Sequence, residues 1–122
     1  MNRWFTVQND TQKAEVADKV ELAASFGARL KGLLGRDGLP EGQGLWIDPC
    51  SSIHTFFMRF SIDVLFLDKS QRVVRVLVDL PARRMTRVHR AATTCLELRA
   101  GAAAKSGTRA GDQLRFIARD RP

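Results

Sequence analysis

The chain has 122 residues, 44% of them hydrophobic and 27% charged, which fits one soluble domain and is too short for two ordinary cores. Its 20 Lys+Arg exceed its 13 Asp+Glu, giving a formal net charge of +7. No apolar run nears the ~20 residues a membrane-spanning helix needs, and the stretch from Met1 to Asp10 turns polar before a signal-peptide core can form, so a single cytoplasmic domain over residues 1–122 is expected, with no membrane span.

Trp4 to Val7 has strand composition, and Asn9-Asp10-Thr11 behind it has turn chemistry. A return strand is expected over Glu15 to Ala23, where Val16, Val20 and Leu22 share one parity with Asp18 interrupting. Then the period changes. Ser25 can cap, Phe26, Leu30, Leu33 and Leu34 recur at helical spacing, and Gly35 can supply a left-handed stop, so residues 25–35 read as a short amphipathic helix. A loop rich in glycine runs from Gly35 to Gly44, and Gly44 to Ile47 is a brief strand that Asp48-Pro49 closes. Ile53 to Phe60 and Ile62 to Leu67 read as extended. Asp68 to Gln71 is a turn, and Arg72 to Leu80 returns as the second strand of a hairpin. Strands are also expected over Thr94 to Arg99 and Gln113 to Ala118, with a helical turn of small residues at Gly101 to Lys105. Without a strand–helix alternation, the pattern predicts a mainly β, mainly antiparallel fold. A sandwich or a partly closed barrel with one short α-helix satisfies it.

The charge is unevenly distributed. Residues 1–70 carry 8 Lys+Arg against 9 Asp+Glu, whereas residues 71–122 carry 12 against 4. Arg83, Arg84, Arg87 and Arg90 cluster in Pro81 to Arg90, a segment with no acidic residue. That field attracts phosphates, anionic lipid or an acidic partner; a solvated basic loop that aids solubility is the plainer alternative. No helix-turn-helix, zinc finger or stacking-aromatic pattern accompanies the charge, so nucleic acid is the least favoured of these partners. The chain has no Tyr.

Several ordered motifs resemble one family. They are Arg29-Leu30-Lys31-Gly32-Leu33-Leu34-Gly35-Arg36 with Leu39-Pro40, then Gly44, His54-Thr55-Phe56-Phe57-Met58, Ile62 to Asp68, Leu96-Glu97-Leu98 with Gly101, and Gly107 with Gly111-Asp112. Together they look like the prokaryotic domain of unknown function 192, over residues 25–116. The resemblance implies a β-rich single domain with one helix at the arginine-glycine-leucine motif, and no established activity. Many members carry lysine, asparagine and threonine after the methionine, where this chain has Arg59-Phe60-Ser61. Many also carry an export signal.

Asp63 is the residue whose placement asks for chemistry. A strand over Ile62 to Leu67 puts its carboxylate on the face of Leu65 and Leu67, and a buried carboxylate needs a partner, hydrogen bonds or a raised pKa. By motif, Arg29, Arg59 and His54 are the nearest partners. One expectation is that Asp63 bonds backbone amides and an arginine to fix strand register; the other is that Arg29, His54, Met58, Arg59 and Asp63 line a pocket for a polar ligand. His54 shares strand parity with Phe56, Met58 and Phe60, where an imidazole is either a core residue or, beside a carboxylate, a general base with Cys50 or Ser52 as nucleophile. Whether the protein is an enzyme stays open on these residues.

Cys50, His54, His89 and Cys95 are zinc-ligand types in spacings unlike familiar zinc modules, so no metal is expected. The glycines form neither a dinucleotide fingerprint nor a P-loop, and no cofactor is expected. Glu97 and Asp112, beside glycines, read as turn caps. The resulting expectation is a small binding or accessory domain that engages an anionic small molecule or an acidic partner protein. A small enzyme using His54, Asp63 and an arginine, and a weak nucleic-acid binder, are the alternatives.

Overall fold

The computed structural model describes residues 3–24, 37–55 and 58–120. Seven strands, β1 (Trp4–Asn9), β2 (Ala14–Ala23), β3 (Gln43–Ile47), β4 (Ile62–Leu67), β5 (Val73–Leu80), β6 (Thr94–Arg99) and β7 (Leu114–Arg119), form one sheet in the order β5-β4-β6-β3-β2-β1-β7. Among the described residues there is one helix, the five-residue α1 (Ala102–Ser106), between β6 and β7. The fold is mainly β, and, apart from Ile53 to Phe60, the expected strands fall within a residue or two of their observed ends. The helix expected at 25–35, with Arg29, lies outside the described residues.

The strands lie in one sheet, so of the two expected arrangements the partly closed barrel is the one that fits: the sheet is not closed, and its outer strands approach at one corner, where Arg72 and Gln113 form an isolated bridge and the Val73 and Leu114 N–H groups donate to Asp112 and Gln71 carbonyls at 2.8 and 3.0 Å. The sheet is also mixed, because β2 and β3 pair in parallel. A parallel pair needs a crossover of a dozen or more residues, and the segment 24–42 supplies that length.

Ile53 to Phe60 was expected to be extended, but its described residues form no strand. Only His54 makes a bridge, to Met85. Side chains interrupt the ladder there: the Thr86 hydroxyl accepts the Ile53 N–H and the Thr55 hydroxyl accepts the Arg84 N–H, both at 2.9 Å. Threonine hydroxyls compete in this way with regular pairing. Residues 81–93 thus form an arm held against residues 50–55.

β2 departs from simple alternation for a local reason. The N–H groups of Asp18 and Lys19 both donate to the Gly42 carbonyl, at 3.0 and 2.9 Å, and the register with β1 slips between Phe5 and Val7. This bulge lets Val16, Ala17, Val20 and Ala23 all point inward.

The alternating strands separate two apolar cores. Leu65, Leu67, Leu96 and Leu98 join Phe5, Val7, Val20 and Leu114 on one face; Ile62, Val64, Phe66 and Cys95 join Leu45, Ile47, Ile53 and Met58 on the other. Every residue of β4 is buried. That explains its continuous apolar sequence, since a strand covered on both faces has no reason to alternate. Trp46 crowns the first core, stacked on Phe116 at 3.9 Å between centroids and edge-on to Phe5 at 5.2 Å.

Candidate functional site

Asp63 is the charged residue of β4, and it is fully buried. Its Oδ1 accepts the Asp79 N–H at 2.8 Å, and its Oδ2 accepts those of Gly101 and Ala103 at 3.0 Å each. Two local devices aim these donors. A register slip between β4 and β5 near Asp79, where Ile62 faces Leu80 but Val64 faces Leu77, turns the Asp79 amide inward. Gly101, at φ 97°, takes a left-handed conformation open to glycine at little cost. One carboxylate therefore ties β4 to the end of β5 and the start of α1.

The other members of the expected pocket lie elsewhere or have other engagements. Met58 is buried in the second core. Arg59 is exposed and pairs with Asp37 at 2.8 Å. His54 is exposed, on the strip that faces the arm, rather than a core histidine. Among the described residues, no arginine forms an ion pair with Asp63. The expectation that Asp63 bonds backbone amides holds; of the two arginines named beside it, Arg59 is engaged with Asp37 and Arg29 lies outside the described residues. Cys50, His54, His89 and Cys95 do not converge: no group of three or more potential metal ligands is present among the described residues. A hydrogen bond with Cys50 and burial push the Cys95 thiol far up, away from thiolate chemistry.

The turn-cap reading holds for Asp112. Asp112 accepts the Arg109 N–H at 2.9 Å and the Asn9 amide at 3.0 Å. Burial pushes its carboxyl up, but these bonds and those from Gln12 outweigh it and hold the pKa below the ordinary value. Glu97 lies within β6, buried, on the face of Cys95.

The basic arm is the more open feature. Arg83, Arg84, Arg87 and Arg90 are all exposed. Thr55 fixes the arm's root: its hydroxyl donates to the Pro81 carbonyl at 2.7 Å and accepts the Arg84 N–H, and its backbone N–H donates to the Arg84 carbonyl at 2.8 Å. Between the arm and β5 lies a cleft of about 400 Å³, lined by Arg75, Leu77, Leu80, Arg84, Met85, Thr86, Arg87 and His89. Three arginines and His89 are among the lining residues, and no Asp or Glu is. Among the described residues, none of the three arginines forms an ion pair.

His89 gives the cleft its chemistry. Its ring lies against Phe66, with centroids 4.3 Å apart, and its Nε2 is buried without a hydrogen-bond partner among the described residues. Burial, then the charges of Arg75 and Arg87, push its pKa below the ordinary 6.5, so the imidazole is neutral at pH 7. Of the four arginines singled out in sequence, Arg84 and Arg87 reach the cleft; Arg83 and Arg90 are absent from its lining. Arg75 was not singled out in sequence, and His89 was considered only as a zinc-ligand type. Arg75 did carry a signal, as the one cation of β5, at the parity of Leu77.

A second cleft, of about 640 Å³, lies between β2, the Glu41–Gln43 turn and α1. Its lining mixes Glu15, Asp18 and Glu41 with Arg99 and Lys105, and Lys105 pairs with Glu41 across it. None of the candidate pocket residues His54, Met58, Arg59 and Asp63 lines either cleft.

The chain belongs to the DUF192 family, described as "Uncharacterized ACR", whose profile matches residues 6–116. Two solved structures share the fold. A protein of unknown function from Novosphingobium aromaticivorans is 20% identical with a TM-score of 0.74, over 92% of this chain and 83% of that one. A protein from Sinorhizobium meliloti, described as a proposed transcription regulator, is 20% identical with a TM-score of 0.80, over 95% and 94%. No curated protein matches the chain. No helix among the described residues is long and apolar enough to cross a membrane.

Proposed function

We propose that this protein is a small binding domain whose cleft between β5 and the arm holds an anionic group of a small ligand or of an acidic partner. The observation that carries this is the gathering of Arg75, Arg84 and Arg87 around one cleft that no carboxylate lines. Like charges held close repel, and an incoming anion relieves that repulsion while accepting charge-assisted hydrogen bonds. Leu77, Leu80 and Met85 supply apolar walls, the usual composition of a ligand site. The orphaned Nε2 of His89 gives it a hydrogen-bonding group without a protein partner.

The alternative of an enzyme built on His54 and Asp63 has less support. A carboxylate whose two oxygens accept three main-chain N–H groups is better suited to anchoring than to taking a proton.

Calorimetric titration with inorganic phosphate and citrate tests the proposal. At least one should bind, and Arg75→Gln with Arg87→Gln should weaken it about tenfold or more while the fold persists. The pH dependence has a definite sign. A bound anion favours the imidazolium, so the His89 pKa is higher in the complex than in the free protein, and binding takes up a proton. For sulfate, whose charge is constant over this range, affinity should therefore rise as pH falls below the ordinary 6.5, and His89→Gln should flatten that slope. Absence of binding by either anion at low salt, or binding indifferent to both arginines, would sink the cleft as an anion site.

A further inference from the structure

The cleft accounts for Arg84 and Arg87 but leaves much of the arm unexplained. Arg83, Val88 and Arg90 are absent from its lining, and Met85, although it lines the cleft, is still 69% exposed, as Val88 is 61% exposed. No acidic residue occurs from Leu80 to Leu96. A large apolar side chain held in water is ordinary when it stands alone; here two stand among four exposed arginines on one short arm. We infer that the arm docks on an anionic lipid surface, with Arg83, Arg84, Arg87 and Arg90 at the headgroups and Met85 and Val88 entering the interface.

The combination of charges and apolar side chains decides between partners. Clustered arginines draw a protein to acidic headgroups, each contributing about a fivefold gain near the surface, an attraction that salt screens. Apolar side chains beside them add a term that salt does not screen. A nucleic acid would use the same cations, but single strands are gripped by stacking on aromatic rings, and the arm carries none. Two structural features suit the arm to this task. Thr55 and Thr86 pin its root, as described above, so that its outer side chains are presented on an ordered backbone. The Lys and Arg residues of β7 and α1 that pair with Asp10, Asp18 and Glu41 leave the arm as the arginine cluster without described ion pairs.

Co-sedimentation with vesicles of phosphatidylcholine alone, or with about a third phosphatidylserine, tests this. The protein should pellet with the anionic vesicles at low salt and stay in solution with the neutral ones. The triple variant Arg83→Gln, Val88→Ser, Arg90→Gln alters only residues outside the cleft lining. It should lose vesicle binding by tenfold or more yet bind phosphate or citrate as the parent does, so failure here is distinct from failure of the cleft. A parent protein that stays in solution with anionic vesicles at low salt overturns the inference. So does a triple variant that pellets equally well, or a parent that binds polyglutamate or single-stranded DNA in preference to vesicles.

Discussion

Asp63 shows how much one side chain can organise. Its three amide hydrogen bonds are made where water cannot substitute, and bonds to a charged acceptor contribute about 1.5–3 kcal/mol each. Asp63→Asn keeps the shape but replaces one accepting oxygen with an NH₂ group that faces N–H donors. Urea unfolding should show a loss of about 2 kcal/mol or more, since at least one buried amide is left without an acceptor. A variant as stable as the parent would show that the three amides are satisfied some other way. The burial of this carboxylate was legible, because no other charge interrupts Ile62 to Leu67. Its partners were not: Asp79, Gly101 and Ala103 donate through the backbone, and no side-chain pattern announces a main-chain N–H turned inward by a register slip or a left-handed glycine.

At the scale of elements, the strands were legible because each carries its own alternation or β-branched run. The errors came from interactions between segments. Val16 and Ala17 both point inward only because a bulge at Asp18 and Lys19 shares one Gly42 carbonyl, a contact with a distant turn. Ile53 to Phe60 has strand composition, yet threonine hydroxyls replace the regular ladder that was expected there. Thr55 makes this concrete. Its hydroxyl serves Pro81 and Arg84 together, so Thr55→Val removes a donor and an acceptor from a fully buried position and strands one polar group on each side. Pro81 and Arg84 are themselves exposed, so water replaces part of each bond and the cost is about 1 kcal/mol, falling on the arm rather than the sheet. Limited trypsin digestion should cut the variant sooner after Arg83 or Arg84, while far-ultraviolet circular dichroism stays unchanged. An equal cutting rate would show that the backbone bonds alone secure the arm.

On the scale of the whole molecule, the charge asymmetry read from the sequence becomes a spatial one. Cations of β7 and α1 find carboxylates of the first half, through Arg115 with Asp10, Arg119 with Asp18 and Lys105 with Glu41, whereas the arm and β5 gather arginines without them. The sequence predicted a basic segment but could not give the cleft, because Arg75 comes from a neighbouring strand and its proximity to Arg84 and Arg87 is a matter of topology. Self-repulsion of this kind weakens as ions screen it. The melting temperature should rise between about 20 and 200 mM sodium chloride, and rise further in phosphate of equal ionic strength, because an anion that binds the folded cleft stabilises it by mass action. Equal melting temperatures in the two salts would argue for general screening without a site.

The seating of β7 against β1, with Trp4 opposite Arg119 and Asn9 opposite Leu114, bears on how the chain is made. Synthesis delivers β1 first and its outer neighbour last, so through most of translation the hairpin of β1 and β2 offers a row of unsatisfied backbone groups, and Phe5 and Trp46 wait for Phe116. Nascent chains stalled before residue 114 would carry that open margin into a crowded cell, where it could recruit the same strand from another copy. Early termination should thus be more hazardous to this protein than its small size suggests.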